Sequence, residues 1–360
     1  MGYYKNIVRE LVGLAPEIEF YVIASEKLLP IFDIAAPNLR YILLRHSNEN
    51  MVRRVLSEHL ILPGQLSRHG IDVLNTGNIA PFRVPCKLVA TVKTMHAFTT
   101  PDALPLAKRL YRKYAGKRTA ARADIVIANS QSNKVDIQKY FGVNDDRIRI
   151  VHEALDHELF RPTRNNMEAF DENEEDGIKR PFVVFVSSLW RYKNAEILIR
   201  AASIWRRSLP DLSVVFAGYH PDLLYLNELR ALSSKLGVSD QVVFTGGLTQ
   251  EKLLRLYRGA EAVVYPSVYE TFGLPLLEAM AVGCPVLASN VSSLPEVGGE
   301  AARYFSPDQP EELAHLVEIM ASDRIARQSQ IELGFNRSAE FTWKRTARET
   351  LQAYEDAIDV

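Results

Sequence analysis

Cysteine is nearly absent: Cys86 and Cys284 are the only two in 360 residues. So few and so far apart, they exclude a disulfide framework and offer no zinc-ligand spacing. They read as buried thiols of a cytosolic protein. Long apolar runs are missing too. None approaches the roughly 20 residues that a helix needs to cross a bilayer. The opening MGYYKNIVRE lacks the apolar core of a secretory signal. Asn6 stands where a myristoylation signal wants Ser or Thr. The expected location is the cytoplasm, or peripheral at the inner face of a membrane. Nor is there an excess of charge of either sign. A formal net charge of -1 makes the whole molecule no electrostatic match for nucleic acid, and none is expected as a partner.

What is present is a long alternation of β-rich runs with helical patterns. EFYVIAS (19–25), LRYILL (39–44), IDVLNT (71–76), KLVATVK (87–93), ADIVIAN (123–129) and RIRIVHE (147–153) form one series. PFVVFVSSL (181–189), LSVVFAG (212–218), QVVFTGG (241–247), AEAVVYPS (260–267), CPVLAS (284–289) and AARYFS (301–306) form another. Near-continuous apolar strands are those covered on both faces, so parallel sheets flanked by helices are predicted. The expected division is a first domain over 1–165, an acidic linker over 166–180, a second domain over 181–341, and a last helix over 342–360 that crosses back to the first. Asp171, Glu172, Glu174, Glu175 and Asp176 crowd the linker without converging spacing, so no metal and no cofactor is expected.

The start departs from the doubly wound pattern, which opens with a strand and a Gly-rich turn. Here residues 2–14 carry Ile7, Val8, Leu11 and Val12 at helical spacing. The first strand and its loop read as missing, with Met1 an internal methionine of a longer chain as the favoured explanation.

The stretch YPSVYETFGLPLLEAMAVGCPV (265–286) carries the most chemical information. Pro275 suits a first helical turn and Gly283 a helix end. The helix leaves the carboxyl end of a parallel strand, where ligands bind in such sheets. Free N–H groups near Phe272, Gly273 and Leu274 favour an anion there. Glu270 and Glu278 flank this end, and carboxylates would repel a phosphate. They make sense as acceptors for hydroxyl groups, ribose at one end of a diphosphate and hexose at the other. The plainer alternative is that Glu270 caps a backbone amide and Glu278 is a solvated helix residue. FVSSLWRYKNAEILIRAA (185–202) sets Arg191 and Lys193 at the end of the second domain's first strand, where cations can meet phosphate. VVFTGGLTQEKLLRLY (242–257) offers Gly246, Gly247 and Leu248 near a base or phosphate, or else a plain turn with Thr249 as a cap.

These segments together resemble the retaining, family-four type of glycosyltransferase with the GT-B fold. The Glu270–Glu278 spacing within a stretch running through Pro295-Glu296, the basic VSSLWRYKNAEILIRA, ADIVIANSQSNKVDIQKYFGV (123–143) and VHEALDHELFRP (152–162) carry the resemblance, which covers about 85–345. It implies two doubly wound, Rossmann-like domains facing across a cleft. Glu270 would hold hydroxyls of the transferred sugar and Glu278 the ribose. Backbone groups of Phe272, Gly273 and Leu274 would meet sugar and diphosphate, with Ser188, Gly246, Gly247 and Leu248 completing the donor site. Lys193 would bind the diphosphate, and His96 in ATVKTMHAF would stand beside the sugar. The family places Gly-Arg where this chain has Ser187-Ser188. Arg191 would then supply the missing cation.

The implied activity is retaining transfer of a sugar from a nucleotide-sugar to an acceptor hydroxyl, in glycan, cell-surface polysaccharide or glycolipid synthesis. A nucleotide-sugar epimerase of the same architecture, or an inactive binding scaffold, is the alternative. The partners implied are the donor and a glycan or lipid-linked acceptor. AKRLYRKYAGKRTAARA (107–123), basic and without an acid, is either a contact for an anionic lipid or charged glycan, or a solvated face.

Overall fold

The computed structural model describes residues 2–25, 29–44, 56–101, 104–162 and 178–360. Two compact units share the chain: Met1–Ala154 with Thr342–Val360, and Leu155–Phe341.

In the first unit, β1 (Phe20–Ala24) and β2 (Leu39–Leu43) form a parallel pair. A separate parallel sheet runs β3 (Val73–Thr76), β4 (Lys87–Val92), β5 (Ile125–Ala128), β6 (Ile148–Ile150). Every residue of β5 is buried, as expected of a strand with helices over both faces. The terminal helix Trp343–Asp359 covers part of this sheet. Its Ala353 and Ala357 pack against Val89, Ile125 and Ile127. Small side chains let helix and sheet approach closely. On another side its Ala347 meets Ile7 and Leu11 of the helix Gly2–Leu14. Thr342 caps this helix by accepting from the Arg345 N–H. The Tyr354 hydroxyl accepts from Asn75 Nδ2 at 2.7 Å, tying the helix to the end of β3.

The second unit is one six-stranded parallel sheet in the order β12-β11-β10-β7-β8-β9. The strands are β7 (Phe182–Val186), β8 (Ser213–Ala217), β9 (Val242–Gly246), β10 (Ala262–Tyr265), β11 (Val286–Ser289) and β12 (Ala302–Phe305). The chain starts in the middle, winds outward through β8 and β9, then returns to place β10 against the other side of β7. That is the doubly wound order, and the switch point lies between β7 and β10. Apolar clusters fill both faces of the sheet, one with Phe272, Leu276 and Leu277, the other with Leu198, Trp205 and Leu226.

The division of the chain falls before the acidic segment rather than within it. Leu155 N–H donates to the Phe341 carbonyl at 3.1 Å, and Leu155 and Phe160 are buried in the second unit's core. Ile178, expected in the linker, is buried in that same core. The rest of the expected linker through residue 177, with Asp171, Glu172, Glu174, Glu175 and Asp176, lies outside the described residues. Among the described residues no helix is long and apolar enough to cross a membrane.

Candidate active site

The carboxyl ends of β7 and β10, on either side of the switch point, bring Lys193 and Glu270 together. Lys193 closes a 3-10 turn, Arg191–Lys193, that follows β7. Its ammonium pairs with Glu270 Oε1 and donates to the Tyr265 hydroxyl at 2.9 Å. Both partners are buried. Two loops must be held for this pair to meet. The Val268 N–H donates to the Tyr192 carbonyl at 2.9 Å, joining the loops directly. Asn194 then adopts a left-handed backbone (φ +56°), which asparagine tolerates better than most residues. Its amide reaches the carbonyls of Pro266 at 3.2 Å and Pro307 at 2.7 Å. One side chain thereby ties the loops after β7, β10 and β12.

The loop after β11 fixes Glu270 from the other side. The Glu270 N–H donates to Ser292 Oγ at 2.9 Å. Ser293 Oγ donates to the carbonyls of Glu270 at 3.1 Å and Phe272 at 2.8 Å. The main chain around Glu270 is thus set by serines 22 and 23 residues further on. Burial together with Glu270 pushes the Tyr192 and Tyr265 hydroxyls far above the usual phenol range, so both stay neutral.

Glu278 sits on the helix Leu274–Ala281 that follows. The buried Tyr257 hydroxyl donates to its Oε2 at 3.0 Å. Burial raises the Glu278 carboxyl above the ordinary glutamate value, and the tyrosine bond partly offsets this. Glu278 is therefore not the solvated helix residue of the plainer reading, and the Glu270 carboxylate, in place of a simple amide cap, pairs with Lys193. Gly273 precedes the helix at φ +103°, and a Cβ there would lie 2.7 Å from Leu294 Cδ2. Glycine is required here by the fold as well as by any close ligand. Phe272 is buried with its ring edge-on to Phe341. Leu274 and Leu248 are partly buried against the same core.

The remaining candidates fall in different places. Arg191, expected to join Lys193, is held elsewhere. Its guanidinium forms a two-pronged pair with Glu228 at 2.7 and 2.8 Å, lies 3.6 Å from Asp222, and stacks on Tyr225. These partners belong to the Leu223–Lys235 helix and its cap, 31 to 37 residues away in sequence, so local reading could not find them. Ser188 lies on the loop after β7, its carbonyl accepting from Trp190 N–H at 2.9 Å. Gly246 has φ +75° at the end of β9, and Gly247 is close under the Tyr219 ring. Thr249 caps the helix Gln250–Gly259, as the plainer reading of that turn has it. His96 lies in the first unit, at the start of a short helix after β4, with Nδ1 3.0 Å from Thr100 Oγ1. The described residues hold no group of three or more His, Cys, Asp or Glu that could bind a metal ion.

Comparison with known proteins places this architecture. Residues 166–337 match the family model "Glycosyl transferases group 1", and residues 3–159 match "Glycosyltransferase Family 4". The MMP alpha-(1->4)-mannosyltransferase of Mycolicibacterium hassiacum is 30% identical over 306 residues, covering 81% of this chain and 70% of that protein. The serotype-specific mannosyltransferase WbdA of Escherichia coli is 29% identical over 234 residues, covering 65% of this chain. The match spans only 29% of WbdA's own length. Among solved structures, HepE from Anabaena in complex with UDP and glucose superposes with a TM-score of 0.72 at 17% identity, over 97% of this chain and 95% of HepE. The chain belongs to the group 1 family, the family-four retaining glycosyltransferases of GT-B fold.

Proposed function

We propose that the second unit binds a nucleoside-diphosphate hexose and that the protein transfers the hexose, with retention, to an acceptor hydroxyl in glycan, cell-surface polysaccharide or glycolipid synthesis. The observation that carries this reading is the buried Lys193–Glu270 pair across the switch point of the sheet. A buried ion pair is a poor device for stability alone, because desolvation offsets most of its attraction. As a ligand site it makes sense. Each member holds the other in place until a donor supplies better-matched partners. The diphosphate takes the ammonium of Lys193, and Glu270 turns to the hydroxyls of the hexose. Glu278, oriented by Tyr257, accepts from the ribose. The N-terminus of the Leu274–Ala281 helix, which no side chain caps, faces the sugar and diphosphate with the positive end of its dipole.

Transfer breaks the bond between the anomeric carbon and the diphosphate oxygen. The acceptor oxygen forms its bond to that carbon from the same face, and its proton passes to the departing phosphate. Lys193 stabilises the negative charge growing on the leaving group, the term that dominates such catalysis. Mannosyl transfer by two relatives and the UDP and glucose held by HepE support a hexose donor without choosing its base.

The test is a thermal-shift screen over UDP-, GDP- and ADP-hexoses, followed by detection of released nucleotide. A matched donor at ~100 times its Kd adds about 2.7 kcal/mol to native stability. Release of nucleoside diphosphate with that donor supports the transferase. Binding without release, with a range of acceptors present, supports a scaffold instead. No shift with any donor overturns the reading.

A further inference from the structure

The helix Leu106–Arg122 inverts the usual arrangement of a surface helix. The residues it buries are small: Ala115, Gly116, Thr119 and Ala120. Its large apolar side chains face water instead, with Leu106 60%, Leu110 56% and Tyr114 67% exposed. Spaced by four, they make one line along the helix. Lys113 and Lys117 share that face, and the helix has seven Lys and Arg and no acid.

The exposed apolar surface does not stop at the helix. Arg118, one turn beyond Tyr114, lies over the Phe82 ring at 4.3 Å. Phe82 is itself exposed and stacks on His59 at 4.1 Å. Beside His59, Leu60 is 73% exposed, with Ile61 next to it. At this end a cavity of about 440 Å³ opens between Arg83, Arg122, Ser67 and Gly64. The Leu62–Arg68 helix that lines this end holds no acid, and Glu58 is the one acid in the preceding turn, Ser57–Ile61.

We propose that this face of the first unit rests on an anionic phospholipid surface. Leu106, Leu110, Tyr114, Phe82 and Leu60 enter the headgroup boundary, and Arg83 and Arg122 take a headgroup phosphate. An apolar line edged by cations is the pattern of a helix lying in a membrane interface. Attraction to anionic lipid adds to it residue by residue. A second copy of the chain fits less well, because two basic faces repel each other. The inference uses none of the residues assigned to donor binding, so either reading can fail without the other.

Co-sedimentation of the full chain with vesicles tests it. The protein should pellet with phosphatidylcholine–phosphatidylglycerol vesicles, not with phosphatidylcholine alone, and less at high salt. Leu106→Ser/Leu110→Ser/Tyr114→Ser should lower the partition about tenfold or more. Lys108→Glu/Lys117→Glu should do so too, at about fivefold per charge. Arg83→Ala should lower it less. All these side chains are exposed, so thermal unfolding and the donor-induced shift should stay as in the parent. Equal pelleting with both lipids, or unchanged pelleting of the Ser variant, overturns the proposal. So does a concentration-dependent dimer that the Ser variant abolishes while no vesicle binding is seen.

Discussion

Lys193 and Glu270 are both buried, and each is costly there without the other. Glu270→Ala or Lys193→Ala should therefore lower unfolding free energy by about 3–5 kcal/mol, as for other broken buried pairs. Lys193→Met/Glu270→Gln removes both charges and should recover much of that loss in a urea titration. If the pair holds the donor as proposed, all three variants should lose the donor-induced thermal shift. If the double variant is no more stable than the singles, the pair is not the electrostatic unit described. Glu278 gives a different signature. Burial raises its folded-state carboxyl above the ordinary value, so the folded chain binds that proton more tightly than the unfolded chain. Its contribution is fully present below the unfolded value and is lost as pH rises through the folded value. Glu278→Gln should thus stabilise the protein relative to the parent at neutral pH. The difference should vanish in acid, as denaturation midpoints across pH would show. If Glu278 holds the ribose as proposed, the same variant should also bind nucleotide more weakly, since a neutral amide accepts less strongly than a carboxylate. The two glutamates were legible as residues because their spacing around Gly273 and Pro275 is local. Their partners were not. Tyr257, Ser292 and Ser293 come from 21 to 23 residues away in sequence, and nothing in their own neighbourhood marks that role.

The elements explain what the side chains cannot. Gly273 begins the Leu274–Ala281 helix at φ +103° with Leu294 2.7 Å from where a Cβ would sit. Gly273→Ala should cost about 1–3 kcal/mol, part from backbone strain and part from that contact. In a Leu294→Ala background the contact part disappears and the strain remains. A double-mutant cycle in urea should therefore show a smaller effect of Gly273→Ala there than in the parent. Equal effects in both backgrounds would assign the whole cost to the backbone. Gly218 is a harder case, because its Cβ would run into the Ser187 carbonyl, and that backbone belongs to the loop carrying the site. The strands themselves could be read from sequence, since β5, β7, β10 and β11 are apolar almost throughout and buried. The destination of Arg191 could not. Its proximity to Lys193 in sequence suggested a shared role, yet the 3-10 turn sends the two side chains to different partners.

At the scale of the whole molecule, the chain leaves the first unit at Ala154 and re-enters it at Thr342. That return is structural, since Ala347, Ala353 and Ala357 of the last helix are wholly buried against Ile7, Leu11, Val89, Ile125 and Ile127. The second unit's two apolar clusters draw only on residues 155–341. A chain ending at Phe341 should therefore fail unevenly. Its first unit loses the cover of its sheet, and amide protons of β4 and β5 should exchange much faster than in the full chain. Those of β7 and β10 should keep their protection, because local stability follows each unit's own buried contacts. If Lys193, Glu270 and Glu278 hold the donor as proposed, the truncated chain should also keep a donor-induced thermal shift. Loss of protection in β7 and β10 on truncation would show that the second unit does not stand by itself. The donor shift measured on the same sample then separates a failed unit from a failed site: protected strands without a shift argue against the site alone.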